Sequence, residues 1–118
     1  MQMKNHKDLD AWKESIRLAV TVFKILEEFP ISEMYGLTSQ IKRSVVSISS
    51  NIAEGAARGS KKEFTRFLNI ALGSLAELET QLIISKELKF YDSEKVFNDI
   101  IRLQKIIGGL IRYTKRNQ

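Results

Sequence analysis

This sequence predicts an all-α fold: an antiparallel, up-down-up-down four-helix bundle. Three observations carry that expectation. Apolar residues recur at steps of three and four in four separate segments. One proline, Pro30, and six glycines leave room for long uninterrupted helices. No alternating period-two run rich in β-branched residues marks a strand. The 118 residues suit a single domain, 1–118. Surface scaling gives roughly 6,500 Å² folded against roughly 19,600 Å² extended, enough burial to fold without staples.

The first helix is expected over about residues 8–29. Leu9, Trp12, Ile16, Ala19, Val20, Phe23 and Leu26 form its core face. Asp8 suits the N-cap, because its carboxylate can accept from free backbone N–H groups. Phe29-Pro30 ends the helix, since proline pushes the residue before it out of the α region.

The second helix is expected over 35–58, with Leu37, Ile41, Val45, Ile48, Ile52 and Ala56 inward. Ser32 or Thr38 can cap it, with Gly36 between them. Gly59 suits a left-handed position just past its end. Ser60 and Glu63 then read as a capping box opening the third helix, 61–88. So short a turn makes helices two and three antiparallel neighbours.

Helix three turns Phe64, Phe67, Leu68, Ala71, Leu75, Leu78 and Leu82 inward. Asp92 or Ser93 can cap the fourth helix, 93–114, which turns Val96, Ile100, Leu103, Ile107 and Leu110 inward. Thr114–Gln118 is expected to fray.

Helix one carries a second apolar stripe: Leu18, Val22, Ile25 and Phe29. Weaker second sets are Leu72, Ala76 and Ile83 on helix three, and Phe97 and Ile101 on helix four. A monomeric bundle needs one stripe per helix, so the extra surface predicts homo-oligomerisation. A bland alternative is that these residues widen the core.

Composition excludes several chemistries. There is no Cys, hence no disulfide, thiolate metal site or Cys nucleophile. A single His, His6, in an expected flexible tail, excludes a multi-His metal site. Glu54 and Glu77 can face one another across helices two and three, but no helical His completes a di-metal site. No glycine-rich phosphate loop or nucleophile elbow is present. A non-enzyme without cofactor or metal is expected. The polar N-terminus and the lack of a long apolar run predict a cytoplasmic chain with no membrane span.

The charge balance points to acidic partners. Nineteen Lys and Arg against fourteen Asp and Glu leave +5. Arg102, Lys105, Arg112 and Arg116 fall within one quarter of helix four, with Gly109 in the gap to let a backbone approach. A one-sided basic stripe can track phosphates. It reads equally as a solvated face placed to suit the helix dipole. Arg58, Lys61, Lys62 and Arg66 surround the turn between helices two and three. Lys61 and Lys62 stand where the dipole disfavours cations, a mild hint of a ligand that Glu63 partly offsets. Helix two bears a polar stripe: Arg43, Ser47, Asn51, Glu54 and Arg58. Its small side chains favour an inter-subunit contact for Arg43, Ser47, Asn51 and Glu54 over a ligand site.

The run Tyr35-Gly36-Leu37-Thr38-Ser39-Gln40-Ile41-Lys42-Arg43-Ser44, followed by Ser47-Ile48-Ser49-Ser50-Asn51-Ile52-Ala53-Glu54-Gly55, resembles the four-helix-bundle family of ribosomal-RNA intervening-sequence proteins. Some members of that family are labelled ribosomal protein S23. The likeness begins at Phe29-Pro30 and Glu33, and continues through Arg58, Glu63-Phe64, Phe67-Leu68, Ile70-Ala71, Gly73-Ser74 and Glu77-Leu78-Glu79. Lys42 stands where Arg is common. The family is similar in fold to the accessory variability determinant protein of diversity-generating retroelements. That protein is a barrel-like homopentamer with basic surfaces for nucleic acid and a reverse transcriptase. The resemblance implies a small cytoplasmic homopentamer that binds nucleic acid, RNA or DNA; the lack of an RNA-stacking motif predicts little base readout. The rival expectation is a module that assembles with itself and a protein partner.

Overall fold

The computed structural model describes residues 5–118; Met1–Lys4, part of the polar N-terminal run, lie outside the described residues. The described residues form four α-helices: α1 (Asp10–Leu26), α2 (Leu37–Ala57), α3 (Lys61–Glu87) and α4 (Lys95–Arg116). Single 3-10 turns at His6–Asp8 and Ile31–Glu33 precede α1 and α2. No strand occurs among the described residues, and the helices pack as a four-helix bundle of 45 × 24 × 19 Å.

Contacts between neighbouring helices run in falling register. Ser44 bonds Glu77 and Ser47 bonds Ser74 between α2 and α3. Thr65 bonds Thr114 and Glu79 bonds Gln104 between α3 and α4. Between α1 and α2, Ser15 bonds Ser49 and Phe23 lies under Lys42.

The start of α1 differs from expectation. Leu9, in extended conformation, is the N-cap and offers no side-chain bond; Asp8 belongs to the preceding 3-10 turn. Asn5 caps that turn, its side chain accepting from the Lys7 N–H at 2.7 Å. His6 is held there too, its ring edge-on to Trp12 at 5.2 Å between centroids. The helix closes at Leu26, and a turn carries the chain through Phe29 to Pro30.

The two stripes of α1 partly exchange roles: Leu9 and Leu26 of the expected core face are buried as predicted, but its middle is not. Leu18, Val22, Ile25 and Phe29 are 2%, 0%, 6% and 7% exposed, and they form the chain's own core. They cannot make a subunit interface. Ile16, Val20 and Phe23, expected inside, are 38%, 51% and 41% exposed. Both stripes satisfy helical spacing, so neighbours decide between them. The inward stripe begins with Ala11 and Ser15, both buried and small enough for α2 to come close. Ser15 Oγ donates to the Trp12 carbonyl at 2.6 Å and accepts from Ser49 Oγ at 2.8 Å. At its other end Phe29 packs on Phe90 and Tyr91, with centroids 5.4 and 5.9 Å apart.

On α2, Ile41, Val45, Ile48 and Ile52 are buried as the spacing predicts. Neither Ser32 nor Thr38 caps it. Gly36 holds the N-cap position, and the Glu33 carboxylate accepts from the Leu37 N–H at 3.4 Å. The other end follows expectation. Gly59 has φ +80°, and Ser60 Oγ accepts from the Glu63 N–H at 3.0 Å.

On α3 the whole expected face, Phe64 to Leu82, is buried. This helix is apolar enough by length and composition to cross a bilayer; its Phe64-to-Leu82 face lines the bundle core, while Ile70, Ile83 and Ile84 are exposed. After it, Lys89 takes φ 65° and Tyr91 turns inward, its hydroxyl donating to the Leu82 carbonyl at 2.8 Å. Neither Asp92 nor Ser93 caps α4; Glu94, in helical conformation, holds that position and pairs with Lys86.

Val96, Ile100, Leu103 and Ile107 are buried on α4, with Leu110 half-buried. The tail docks where fraying was expected. Thr114 is buried, Thr65 Oγ1 lies 2.6 Å from Thr114 Oγ1, and the Gln118 amide donates to Thr65 at 3.1 Å.

Candidate nucleic-acid interface

The Thr65–Thr114 bond brings together two basic groups that are far apart in sequence. It pins the last turns of α4 to the first turns of α3, beside the turn that ends α2. Arg58, Lys61, Lys62 and Arg66 therefore share one end of the bundle with Arg112, Lys115 and Arg116. The Lys61 ammonium lies 6.0 Å from the centre of the Tyr113 ring, across the seam between α3 and α4. A groove of 230 Å³ opens there, lined by Gly55, Gly59, Ser60, Lys61, Phe64 and Tyr113 among others.

Local contacts partly neutralise the turn group. Arg58 pairs with Glu54 at 2.8 Å, the i,i+4 arrangement the spacing predicts. Arg66 pairs with Glu63 at 3.1 Å. The hydrogen bond from Arg66 holds the Glu63 carboxyl below its ordinary range, and the same bond raises Arg66. Both guanidiniums also lie over the Phe67 ring, Arg58 at 5.0 Å and Arg66 at 4.5 Å. These stacked, paired arginines are held in place with faces still in solvent.

The helix-four stripe divides. Arg102 lies within 3.5 Å of Glu14 on α1 and 3.1 Å of Asp99, so its charge is answered inside the chain. Lys105, Arg112 and Arg116 are exposed and make no ion pair among the described residues. Beside Gly109 the nearest neighbour is the exposed side-chain tip of Arg112. Guanidinium nitrogens of Arg112 lie 3.7 Å from where side chains at Gly108 and Gly109 would begin. Lys115, off the spacing of the helix-four stripe, also belongs to the basic end. Only the register of α4 on α3 reveals it.

The polar stripe of α2 is largely used within the chain. Ser47 bonds Ser74 at 3.0 Å, and the Asn51 amide donates to the Ser47 carbonyl at 2.8 Å. Arg43 points outward at the rim of a polar groove. Glu54 and Glu77 do not face one another. With Ser44 opposite Glu77 and Gly55 against Phe67, they are about 15 Å apart along the helices at 1.5 Å per residue. No cluster of three or more metal-ligating side chains occurs among the described residues.

The apolar surface left outside runs between α1 and α2. Ile16 shares a shallow groove with Trp12, Ala19, Val46 and Ala53, and Val20 and Phe23 continue it. Ile83 and Ile84 on α3 and Ile101 on α4 are exposed elsewhere.

Compared with protein-family models, residues 7–111 match the one described as 23S rRNA-intervening sequence protein. No curated protein matches the chain.

Proposed function

The chain belongs to the 23S rRNA-intervening sequence protein family, and from that premise we propose a non-catalytic, self-assembling bundle that binds RNA by its phosphates. The observation that carries the reading is the convergence of Arg58, Lys61, Lys62, Arg66, Arg112, Lys115 and Arg116 on one end of the bundle. The falling contact registers support the antiparallel, up-down-up-down arrangement that brings those segments together. Clustered cations release counterions from a phosphate backbone, which supplies affinity with little sequence information. Glu54 and Glu63 lower the local charge without removing it. The role is a cytoplasmic one, where RNA is met.

Self-assembly has its own support. The exposed stripe of Ile16, Val20 and Phe23 beside Val46 is the kind of contiguous apolar surface that a second copy covers. A homopentamer, the assembly implied by the family's resemblance to the retroelement accessory protein, would repeat the basic end once per subunit. Linked copies raise apparent affinity without new contacts. The same apolar face supports the second reading, a module whose partner is a protein.

The test is fluorescence anisotropy with a labelled single-stranded RNA of mixed sequence. With about four phosphates contacted, the log–log salt slope is roughly −3, so affinity falls roughly fiftyfold between about 50 and about 200 mM salt. Lys61→Glu, Lys62→Glu, Arg112→Glu and Arg116→Glu in one chain abolish binding while the helical signal and melting temperature hold. Unchanged affinity in that variant sinks the site. Capture of a protein that survives nuclease and high salt favours the second reading.

A further inference from the structure

A second apolar face lies across the bundle from the α1–α2 groove. α2 and α4 each adjoin both α1 and α3, while α1 and α3 adjoin one another nowhere, so these two stand at opposite corners. On the outer face of α3, Ile70, Gly73, Ala76, Thr80, Ile83 and Ile84 are all exposed. At 3.6 residues per turn they fall within one arc of about 140°. Only 39% of the helix's most apolar stretch is buried in the bundle. The outer face of a solvated helix carries charged and polar residues, yet between Arg66 and Lys86 this helix has no cation.

The charges on the two faces are opposite and unanswered. Glu77 and Glu87 share the outer arc of α3; both are exposed and neither makes an ion pair among the described residues. Around the α1–α2 groove, Lys13, Lys24 and Lys42 are exposed, and none of them makes an ion pair among the described residues. Lys24 lines the groove, with Glu27 as the one acid there, and the Lys42 ammonium lies 5.4 Å from the centre of the Phe23 ring. The faces also stand level. Lys42 marks the height of Phe23, and two residues further along α2 Ser44 bonds Glu77. Two residues of helix are about 3 Å.

We infer that the outer face of α3 in one copy of this chain docks on the α1–α2 groove of the next, with Glu77 and Glu87 meeting Lys24 and Lys42. The apolar side chains of the two faces supply the burial, and the charges set which face meets which. The contact joins unlike faces, so one such contact cannot close a two-fold dimer and repeats from copy to copy. Faces at one height leave no rise between copies, which closes a ring and not a filament. With the bundles side by side, rotation about the ring keeps every basic end on the same rim. The inference rests on the self-assembly reading and adds which surfaces meet.

The experiment follows the full chain and two variants by light scattering. Val20→Lys with Phe23→Lys spoils the groove, and Ile83→Lys with Ile84→Lys spoils the α3 face. All four positions are exposed, and the helical signal and melting temperature of each variant report its fold. Each variant alone is a monomer, because its one intact face has no counterpart. Mixed in equal amounts, the two form a one-to-one complex that grows no further, the α3 face of the first in the groove of the second. Adding Glu77→Lys to the first weakens that complex at least about tenfold, and adding Lys24→Glu with Lys42→Glu to the second restores it. A wild-type chain that stays monomeric overturns the self-assembly reading and this inference together. If wild type assembles, assembly in either variant alone, a mixture that stays monomeric, or no rescue by the charge exchange overturns the inference and leaves self-assembly standing.

Discussion

Gly55 on α2 meets Phe67 on α3 with no room for a methyl group. A Cβ placed at Gly55 would lie 2.6 Å from the Phe67 Cβ and 3.1 Å from the Phe64 ring. That close approach sets the spacing of α2 and α3 just before the turn, and it positions the ring under Arg58 and Arg66. Exchanging a helical Gly for Ala normally stabilises by about 1 kcal/mol. Here overpacking of about 1–3 kcal/mol or more opposes the gain, because the clash is with a Cβ and not a flexible tip. Gly55→Ala is expected to lower the melting temperature by several degrees. Gly73→Ala, on the same bundle but in open space, is expected to raise it. Calorimetry of both decides, and a stabilised Gly55→Ala would mean the helices are not this close.

The helices and the turn at Gly59-Ser60 were legible because periodicity and capping are local. The orientation of α1 was not. Its core stripe starts with Ala11 and Ser15, which carry little apolar weight, so the stripe from Leu18 to Phe29 looked like surplus. Its neighbours on other elements, Ser49 at one end and Phe90 and Tyr91 at the other, decide which stripe faces in. The cap on α2 is not legible locally because Glu33 reaches it from four residues upstream, across Gly36. Both basic groups could be read from spacing. Their convergence depends on Thr65 meeting Thr114, and the loss of Arg102 depends on Glu14, which lies on another helix.

That division of the helix-four stripe is testable. Arg102→Ala is expected to change RNA affinity less than twofold, since its charge is answered by Glu14 and Asp99. An exposed pair of this kind is worth about 0–1 kcal/mol, so stability should barely move. Arg112→Ala with Arg116→Ala is expected to flatten the salt slope by about 1.4, near 0.7 per lost phosphate contact on a single strand. Equal effects from the two variants would restore the undivided stripe.

The exchange of stripes on α1 makes opposite predictions for neighbouring residues. Val20→Lys with Phe23→Lys alters surface and is expected to convert an assembled species to monomer in light scattering, with the melting temperature of the monomer preserved. Leu18→Ala removes a core side chain that is 2% exposed, and is expected to cost about 2–5 kcal/mol. An intact assembly in the lysine variant would move the interface elsewhere, with Ile83, Ile84 and Ile101 next in line.

Tyr91 gives the fold an alkaline limit. Burial pushes its phenol up from 10.0 to about 12 while its hydroxyl donates to the Leu82 carbonyl. In the unfolded chain the phenol ionises near 10.0. Between those values the unfolded state holds fewer protons than the folded state, so stability falls as pH rises. Below that window the contribution is fully present and flat. Tyr91→Phe loses the hydroxyl's bond, for about 1 kcal/mol at neutral pH, and with it this source of alkaline sensitivity. Every other group is common to both proteins, so the difference between the two melting curves isolates the phenol. The gap between wild type and Tyr91→Phe is expected to close above pH 10.0 and then to reverse as pH nears 12. Curves that stay parallel to pH 12 would show that the ring is not held in the neutral form between α3 and α4.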